Sequence, residues 1–338
     1  MNPTLRRILM AMLGIALGGL CLWLTARSLD WAEAARILAS ADIAGIALGV
    51  ALHGCAMIMR AQRWRAIIAF RAPIGLGQCL QALLTGFAVN ASLPARLGEL
   101  FRADYMARRT GVSRSAVLAS IFVERLLDLI AVVGLLGIGL ALAGGGDATS
   151  RGVLIAGAVL TLTGAGVLVL IMRRVSQQNA HAVLSAMIAR LPGGAALASR
   201  LGAMLGDFSQ LLNVMRTARF AIAAATTVPI WAVETTALWL ICRSVGVDLG
   251  PAAMLSLMGG ANLSTLLPTA PGYVGSYQLS YVLILGQFGV GATAAIVAAT
   301  TAQVHLIGVF ALIGFAVLGI GSLRAIGLPA RKPPVSHP

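Results

Sequence analysis

Apolar segments long enough to cross a lipid bilayer recur along the whole chain, and this feature limits the chain to one class of fold. About 20 consecutive apolar residues span a bilayer as an α-helix. Of the 338 residues, 59% are hydrophobic and only 11% are charged, which a water-soluble domain does not carry. The sequence therefore predicts an all-α polytopic membrane protein. The apolar runs lie near 8–25, 43–59, 74–91, 116–143, 152–172, 220–241, 251–267, 274–288 and 292–320.

The charge of the chain is strongly positive, with 25 Lys and Arg against 11 Asp and Glu. In membrane proteins basic residues accumulate in cytoplasmic loops, so this excess indicates orientation, and we expect no nucleic-acid partner. The first apolar run follows Arg6 and Arg7. We expect it to be a retained transmembrane helix with a cytoplasmic N-terminus rather than a cleaved signal peptide.

Two apolar stretches are broken by the same Leu-Pro-x-x-x-Gly motif, from Leu93 and from Leu267. Pro and Gly interrupt helices, and the backbone groups they free lie at membrane depth only when buried in protein or lining a cavity. We therefore predict two re-entrant helical hairpins, at about 74–112 and 251–289, each returning to the side from which it entered. The residues that would shape the hairpins are Pro94, Gly98, Pro268, Pro271 and Gly272.

The distribution of basic residues favours these hairpins over nine simple crossings. Nine crossings place 8 basic residues on one side and 16 on the other. About six full transmembrane helices plus two hairpins place 20 in the cytoplasm, including an interfacial cluster of Arg60, Arg63, Arg65 and Arg71, and 4 outside, with Arg125 in the membrane. The hairpins then enter from opposite sides and form an inverted repeat, as in many alternating-access transporters. Both termini are expected to be cytoplasmic.

One large polar segment, 173–219, separates the two halves of the repeat. From Leu201 to Met215 its apolar residues recur at spacings of 3 and 4, which is typical of an amphipathic helix. We expect this segment to be a cytoplasmic connector. Residues 1–330 then form a single transmembrane domain, and the Pro-rich residues 331–338 form a disordered tail.

Charged residues within the membrane part are the strongest candidates for a substrate site. Each charge facing lipid on the helix after the first hairpin would cost roughly 2.5 to 3.5 kcal/mol. Arginine suits a lipid phosphate, and carboxylates suit a cationic head group or a proton. An ion network that only joins helices is the alternative. The predicted substrate-binding residues of this half are Asn90, Arg96, Glu99, Arg102, Glu124, Arg125 and Asp128.

The second hairpin carries no charge. Its polar side chains either hydrogen-bond a sugar or glycerol head group or satisfy one another. The predicted substrate-binding residues here are Asn262, Tyr273, Tyr277 and Gln278. Glu234 is a candidate proton site, whereas His53 and His305 are expected to pack between helices. Motifs for nucleotide, zinc or a nucleophile are lacking, so we expect no cofactor, no metal and no catalytic residue.

These motifs together resemble the lysylphosphatidylglycerol synthase transmembrane-domain family, also called flippase-like membrane proteins. The resemblance covers about residues 5–325. The shared residues are Leu93-Pro94-x-x-x-Gly98-Glu99-x-x-Arg102, Arg109-x-Gly111, Glu124-Arg125-x-x-Asp128 and a later Leu-Pro-x-x-Pro-Gly-x-x-Gly. It implies translocation of a phospholipid or glycolipid between leaflets of a bacterial inner membrane, with enzymes of envelope lipid biosynthesis as partners.

The resemblance also bears on enzyme activity and head group. In bifunctional relatives a separate soluble domain attaches an amino acid to the lipid; this chain shows no such domain, so the resemblance favours a translocator over an enzyme. Gln278 stands where an acidic residue is expected after the Pro-Gly turn, which argues against a cationic head group. The alternatives are a lipid-linked glycosyl or aminoacyl transferase and a non-catalytic accessory subunit of an envelope lipid pathway.

Overall fold

The structure is a computed structural model that describes residues 3–69, 71–93, 97–144, 217–266 and 270–327, together with isolated positions between 152 and 207. Within these ranges every regular element is helical, as the sequence predicts. A 3-10 turn (Pro271–Tyr273) precedes the helix that begins at Ser276, and a π-helical segment (Gln303–Gly308) joins the helix that ends at Ala302 to the one that begins at Val309. The helices are α1 (Pro3–Ala26), α2 (Trp31–Ala39), α3 (Ile43–Ile68), α4 (Leu76–Ser92), α5 (Gly98–Thr110), α6 (Arg114–Ala143), α7 (Ala218–Ala225), α8 (Thr227–Ser244), α9 (Pro251–Ser264), α10 (Ser276–Gly286), α11 (Ala292–Ala302) and α12 (Val309–Gly327).

Four helical stretches in the described ranges are long and apolar enough to cross a membrane: Ile43–Ile68, Arg114–Ala143, Phe220–Ser244 and Ala292–Ile320. They coincide with four of the six predicted crossings, so the prediction of an all-helical membrane protein is confirmed. The first predicted crossing lies in α1. The crossing predicted at 152–172 and the amphipathic stripe of the connector fall outside the described residues, apart from isolated positions.

Polar residues at the helix ends explain where several helices begin and stop. The Asp42 carboxylate accepts a hydrogen bond from Ala44 N at the start of α3 (3.0 Å). Ser113 Oγ accepts one from Ala116 N at the start of α6 (3.2 Å). Such caps satisfy amide groups that lack a partner within the helix. Gly111 ends α5 with a φ of 72°, so the turn into α6 uses the left-handed backbone that glycine favours.

The first long pair of helices, α3 and α8, packs antiparallel. At one end Asp42 N donates to the carbonyl of Ser244 (2.8 Å). At the other end Arg63 Nη1 donates to Thr227 Oγ1 (3.0 Å). This pair fixes α3 and α8 side by side along their length, and the charged residues described below lie on it and on the helices beside it.

Each of the two broken stretches packs against the long helix that follows the other one. Helix α6, which follows α4 and α5, packs along α9, with Gly139 against Ser256. Helix α12, which follows α9 and α10, packs along α4, with Gly314 against the Leu84 carbonyl. This reciprocal packing brings the 3-10 turn at 271–273 against the end of α4. The two breaks therefore lie side by side.

The first break closes tightly around Gly98. Gly98 N donates to Asn90 Oδ1 (2.7 Å), and Asn90 Nδ2 lies 3.4 Å from Glu99 Oε2. A Cβ atom at Gly98 would overlap the Gly86 carbonyl and lie 2.6 Å from Asn90 Oδ1. Glycine thus allows α4 and α5 to touch through their backbones, which explains the last position of the Leu-Pro-x-x-x-Gly motif.

Replacing Gly98 by Ala is expected to lower the free energy of unfolding by about 1–3 kcal/mol, because the backbone atoms it meets cannot move aside without shifting a helix. The matched control is Gly77→Ala in α4, where no atom lies within 4 Å of the new methyl group. This change should be neutral or stabilising. Thermal unfolding in detergent compares the two variants, and equal stabilities would contradict the close approach at Gly98.

Candidate functional site

Charged side chains are buried where α3, α5, α6 and α8 meet, although charges are rarely buried unless paired. We call this group the buried charge cluster. Six of its members are at most 9% exposed, whereas the Arg125 side chain is 36% exposed. The cluster comprises four arginines and three carboxylates: Arg60, Arg63, Arg102, Arg125, Glu124, Asp128 and Glu234.

Asp128 joins three helices through its carboxylate. Arg63 Nη2 on α3 lies 2.7 Å from Oδ1, and Arg60 Nη1 lies 3.2 Å from Oδ2. Trp231 Nε1 on α8 also donates to Oδ1 (3.3 Å). Both carboxylate oxygens therefore have partners within the protein, and Asp128 links α6 to α3 and α8.

Glu124 links α6 to the first broken stretch. Its Oε2 lies 2.7 Å from Arg102 Nη2 on α5, and its Oε1 lies 3.8 Å from Arg63 Nη2. The Arg102 guanidinium lies 3.5 Å from the centre of the Trp64 ring, a cation–π contact. The predicted residues Arg102, Glu124 and Asp128 are thus brought together, in the arrangement that an ion network between helices requires.

Arg125 differs from the other three arginines. Among the described residues, its nearest carboxylate oxygens are Glu124 Oε1 and Asp128 Oδ2, at 3.5 and 3.8 Å, which is too long for hydrogen bonds. Its buried Nε has no hydrogen-bond partner among the described residues. Glu99 of the first broken stretch and Tyr273 of the second lie within electrostatic range. Arg125 is therefore a partly exposed cation within electrostatic range of both breaks.

The side-chain amide of Gln278 forms hydrogen bonds to other groups of the protein. Its Oε1 accepts a hydrogen bond from Gly275 N (2.8 Å) at the start of α10, and its Nε2 donates to Gln303 Oε1 (2.5 Å). Gln303 Nε2 in turn donates to the carbonyl of Gly272 (2.6 Å). The glutamine pair thus ties the second break to the π-helical segment, and Gln278 is only 5% exposed.

The other predicted residues of the second break fall into two groups. The Tyr277 hydroxyl bonds that of Tyr281 (3.0 Å), and Asn262 Nδ2 donates to the Met258 carbonyl (2.8 Å). Both residues thus form hydrogen bonds within the protein, and both stay predicted substrate contacts. Tyr273 is half-buried and has a φ of 65°, a strained conformation for a residue other than glycine. It stays a predicted substrate contact.

Pro94, Arg96 and Pro268 lie outside the described residues. Pro271 and Gly272 form the 3-10 turn of the second break.

The structure corrects the assignment of Arg60 and Arg63 to an interfacial cluster. Both are buried, because carboxylates on α6 and α8 pair with them, whereas Arg65 is exposed as predicted. His53, expected only to pack between helices, lies 2.6 Å from Glu234. The spacing of these residues could have indicated a common site, because positions 53, 60 and 63 share one helical face.

A cavity of about 550 Å³ lies away from this cluster, between the ends of α3 and α5 and the connector. The Asp207 carboxylate accepts a hydrogen bond from Ser113 Oγ (2.8 Å) and pairs with Arg71. The charges of Arg71 and Asp207 in this cavity thus neutralise each other. Asp207 is also a residue through which the connector contacts the helices. Among the described residues, no three His, Cys, Asp or Glu side chains lie close enough together to bind a metal ion.

The fold and the site define a polytopic helical membrane protein with a buried charge cluster beneath two adjoining helix breaks. The family model described as "Lysylphosphatidylglycerol synthase TM region" matches residues 11–316. The chain therefore belongs to this family, as its motifs predict.

Among curated proteins, the chain is similar to one named "Glycosyltransferase AglD" from Haloferax volcanii. The two are 25% identical over 355 residues, which cover 97% of this chain and 56% of that protein. The chain thus spans little more than half the length of this relative. No solved structure matches the chain.

Proposed function

We propose that this protein moves a phospholipid or glycolipid between the leaflets of the cytoplasmic membrane, with Arg125 binding the head-group phosphate. The observation that carries the proposal is the surroundings of Arg125: its side chain is 36% exposed, no carboxylate oxygen of the described residues lies closer than 3.5 Å, and one residue of each break lies within electrostatic range. A guanidinium in this state can form bidentate hydrogen bonds to a phosphate. Membership of the family supports a lipid-related role.

The proposed membrane arrangement has two re-entrant hairpins in an inverted repeat, at about 74–112 and 251–289. Helices α4, α5, α9 and α10 contain 17, 13, 14 and 11 residues. At 1.5 Å per residue they extend about 26, 20, 21 and 17 Å, less than the roughly 30 Å of a bilayer core. Helices this short support hairpins that enter and return. The termini and the connector 173–219 would then be cytoplasmic.

The charges around Arg125 support a head group with phosphate and hydroxyl groups. Four guanidinium groups of the buried charge cluster face three carboxylates, and all but Arg125 have short ion pairs. Glu99, half-buried at the first break, adds a carboxylate near Arg125. The phosphate would bind Arg125, and Glu99 would accept hydrogen bonds from hydroxyl groups. The acyl chains would stay in the surrounding lipid.

The test uses the purified protein in liposomes with a trace of phosphatidylglycerol that carries a fluorescent acyl chain. Dithionite added outside destroys only the fluorophores of the outer leaflet. We expect nearly complete loss of fluorescence with the protein and loss of about half without it, with the lipid unchanged on a thin-layer plate. Loss of only the outer half in both samples would contradict the proposal.

A second candidate function is favoured by the similarity to a protein named as a glycosyltransferase. In this case the chain would act in a lipid-linked transferase reaction, alone or as an accessory subunit of envelope lipid enzymes. The same liposomes, supplied with a radiolabelled nucleotide sugar and a polyprenyl phosphate, separate the two functions. A transferase gives a new labelled lipid on the plate, whereas a translocator gives none.

A further inference from the structure

A histidine and a glutamate form a buried pair at the edge of the buried charge cluster. His53 Nδ1 lies 2.6 Å from Glu234 Oε2, and the two residues are 6% and 4% exposed. His53 Nε2 is buried and has no hydrogen-bond partner among the described residues, which is uncommon for a buried polar atom. When Nδ1–H donates to the carboxylate, Nε2 keeps its lone pair and can accept a proton.

The groups that face this pair come from four helices. Arg60 of α3 binds the other oxygen of Glu234 (3.1 Å), and Asp128 of α6 binds Arg60. Tyr277 of α10 lies within electrostatic range of Glu234. From α12 the uncharged ring of Phe310 meets the imidazole edge to face at 4.6 Å. A proton on His53 would therefore be stabilised mainly by Glu234.

An alternating row of charges connects this pair to Arg125. Glu234 Oε1 accepts from Arg60 Nε, and Arg60 Nη1 donates to Asp128 Oδ2 (3.2 Å). The same Oδ2 atom is the one that lies 3.8 Å from Arg125 Nη1. Asp128 is thus shared between Arg60 and Arg125. The strength of the Glu234–Arg60 interaction therefore affects how strongly Arg60 interacts with Asp128. This in turn affects how much of the negative charge of Asp128 neutralises Arg125.

The direction of this effect follows from electrostatics. A proton on His53 adds a positive charge beside Glu234 and draws the carboxylate towards the imidazolium. Arg60 then relies more on Asp128, so Arg125 is less neutralised and attracts an anion more strongly. Because coupling between two binding events is reciprocal, an anion on Arg125 must also favour protonation of His53.

We propose that His53 and Glu234 form a proton-binding site that is coupled, through Arg60 and Asp128, to anion binding at Arg125. A hydronium ion of the surrounding water transfers its proton to Nε2 of His53, so one N–H bond forms while one O–H bond of hydronium breaks and a water molecule is released. This inference rests on the proposed function, because the anion is the phosphate of the lipid head group. Head-group binding and proton uptake then accompany one another.

The experiment measures proton uptake by the full chain in weakly buffered detergent solution, with a pH-indicator dye and dihexanoyl phosphatidylglycerol as the probe. Binding of the probe is followed in parallel by thermal shift. We expect a measurable proton uptake by the wild type, of at most one proton per bound probe, and no uptake by His53→Gln. His305→Gln is the matched control, because His305 lies in the π-helical segment and bonds the Thr301 carbonyl. This variant should retain the proton uptake.

The outcomes separate this inference from the proposed function. Binding of the probe by the wild type without proton uptake, or equal uptake by His53→Gln, would overturn the coupling and leave lipid translocation standing. Failure of the wild type to bind the probe would remove the anion site and both proposals with it.

Two further measurements keep the test decisive if His53→Gln does not fold. Glu234→Gln, which keeps the shape of the side chain, should also lose the uptake. In the wild type alone, the affinity for the probe must fall as the pH rises, by at most tenfold per pH unit for one linked proton. An affinity independent of pH would overturn the coupling.

Discussion

Replacing Arg125 by Ala is expected to slow lipid exchange between the leaflets by about 10- to 100-fold, while the protein remains folded. A charge-assisted hydrogen bond to a phosphate contributes about 1.5–3 kcal/mol, and this variant removes it. Stability should change little, because Glu124 and Asp128 keep their shorter contacts with Arg102, Arg60 and Arg63. The dithionite assay gives the exchange rate, and thermal unfolding gives the stability.

Two variants accompany Arg125→Ala. Arg125→Lys keeps the charge but loses the bidentate geometry, so its exchange rate should lie between those of wild type and Arg125→Ala. Arg114→Ala removes an exposed arginine that pairs with Asp104 at the start of α6, and it should exchange lipid at the wild-type rate. Wild-type exchange by Arg125→Ala would exclude Arg125 from the lipid site.

Replacing Asp128 by Ala is expected to lower the free energy of unfolding by about 3–5 kcal/mol, the cost of leaving buried charges without their partner. Arg60 and Arg63 would both lose their closest contacts with α6, so α3 and α6 would separate more readily. Unfolding in detergent by heat or denaturant, together with the yield of monodisperse protein, measures the loss.

Asp104→Ala is the control for Asp128. Asp104 also binds two arginines, Arg108 at 2.6 Å and Arg114, but its side chain is 32% exposed and its partners lie in solvent. Ion pairs of this kind contribute about 1 kcal/mol or less. A loss of stability no larger for Asp128→Ala than for Asp104→Ala would show that the buried charge cluster does not hold the helices together.

Local sequence patterns predict the helices of this fold well. Apolar runs and the Pro and Gly positions between them predicted the four long apolar helices, and they placed breaks after α4 and after α9, where the structure has them. These features depend on the residues of one segment. Hydropathy and helix breaking act over a few turns, so a single sequence carries their signal.

Only some residues of the buried charge cluster were predictable from the sequence. Glu124, Arg125 and Asp128 stand out because charges within an apolar helix are costly. Their partners Arg60 and Arg63 lie 68 and 65 positions before Asp128, and their own surroundings look like an ordinary basic flank. Only the packing of α3 against α6 and α8 shows that they are buried.

Gln278 shows a local signal that was open to another interpretation. The sequence suggested a substrate contact because this residue is polar in an apolar segment. It is also the third residue of α10, where a glutamine side chain commonly accepts a hydrogen bond from the residue that precedes the helix. The observed bond from Gly275 N is of this kind.

The reciprocal packing of the long helices has a consequence for biosynthesis. Helix α4 binds α12, which the ribosome completes only after the rest of the transmembrane part has been made. Chains are translated from the N-terminus at about 5–20 residues per second, so α4 is made roughly 10–50 seconds before the helix that covers it. During this interval the surface later covered by Gly314 must be shielded by lipid or by the insertion machinery.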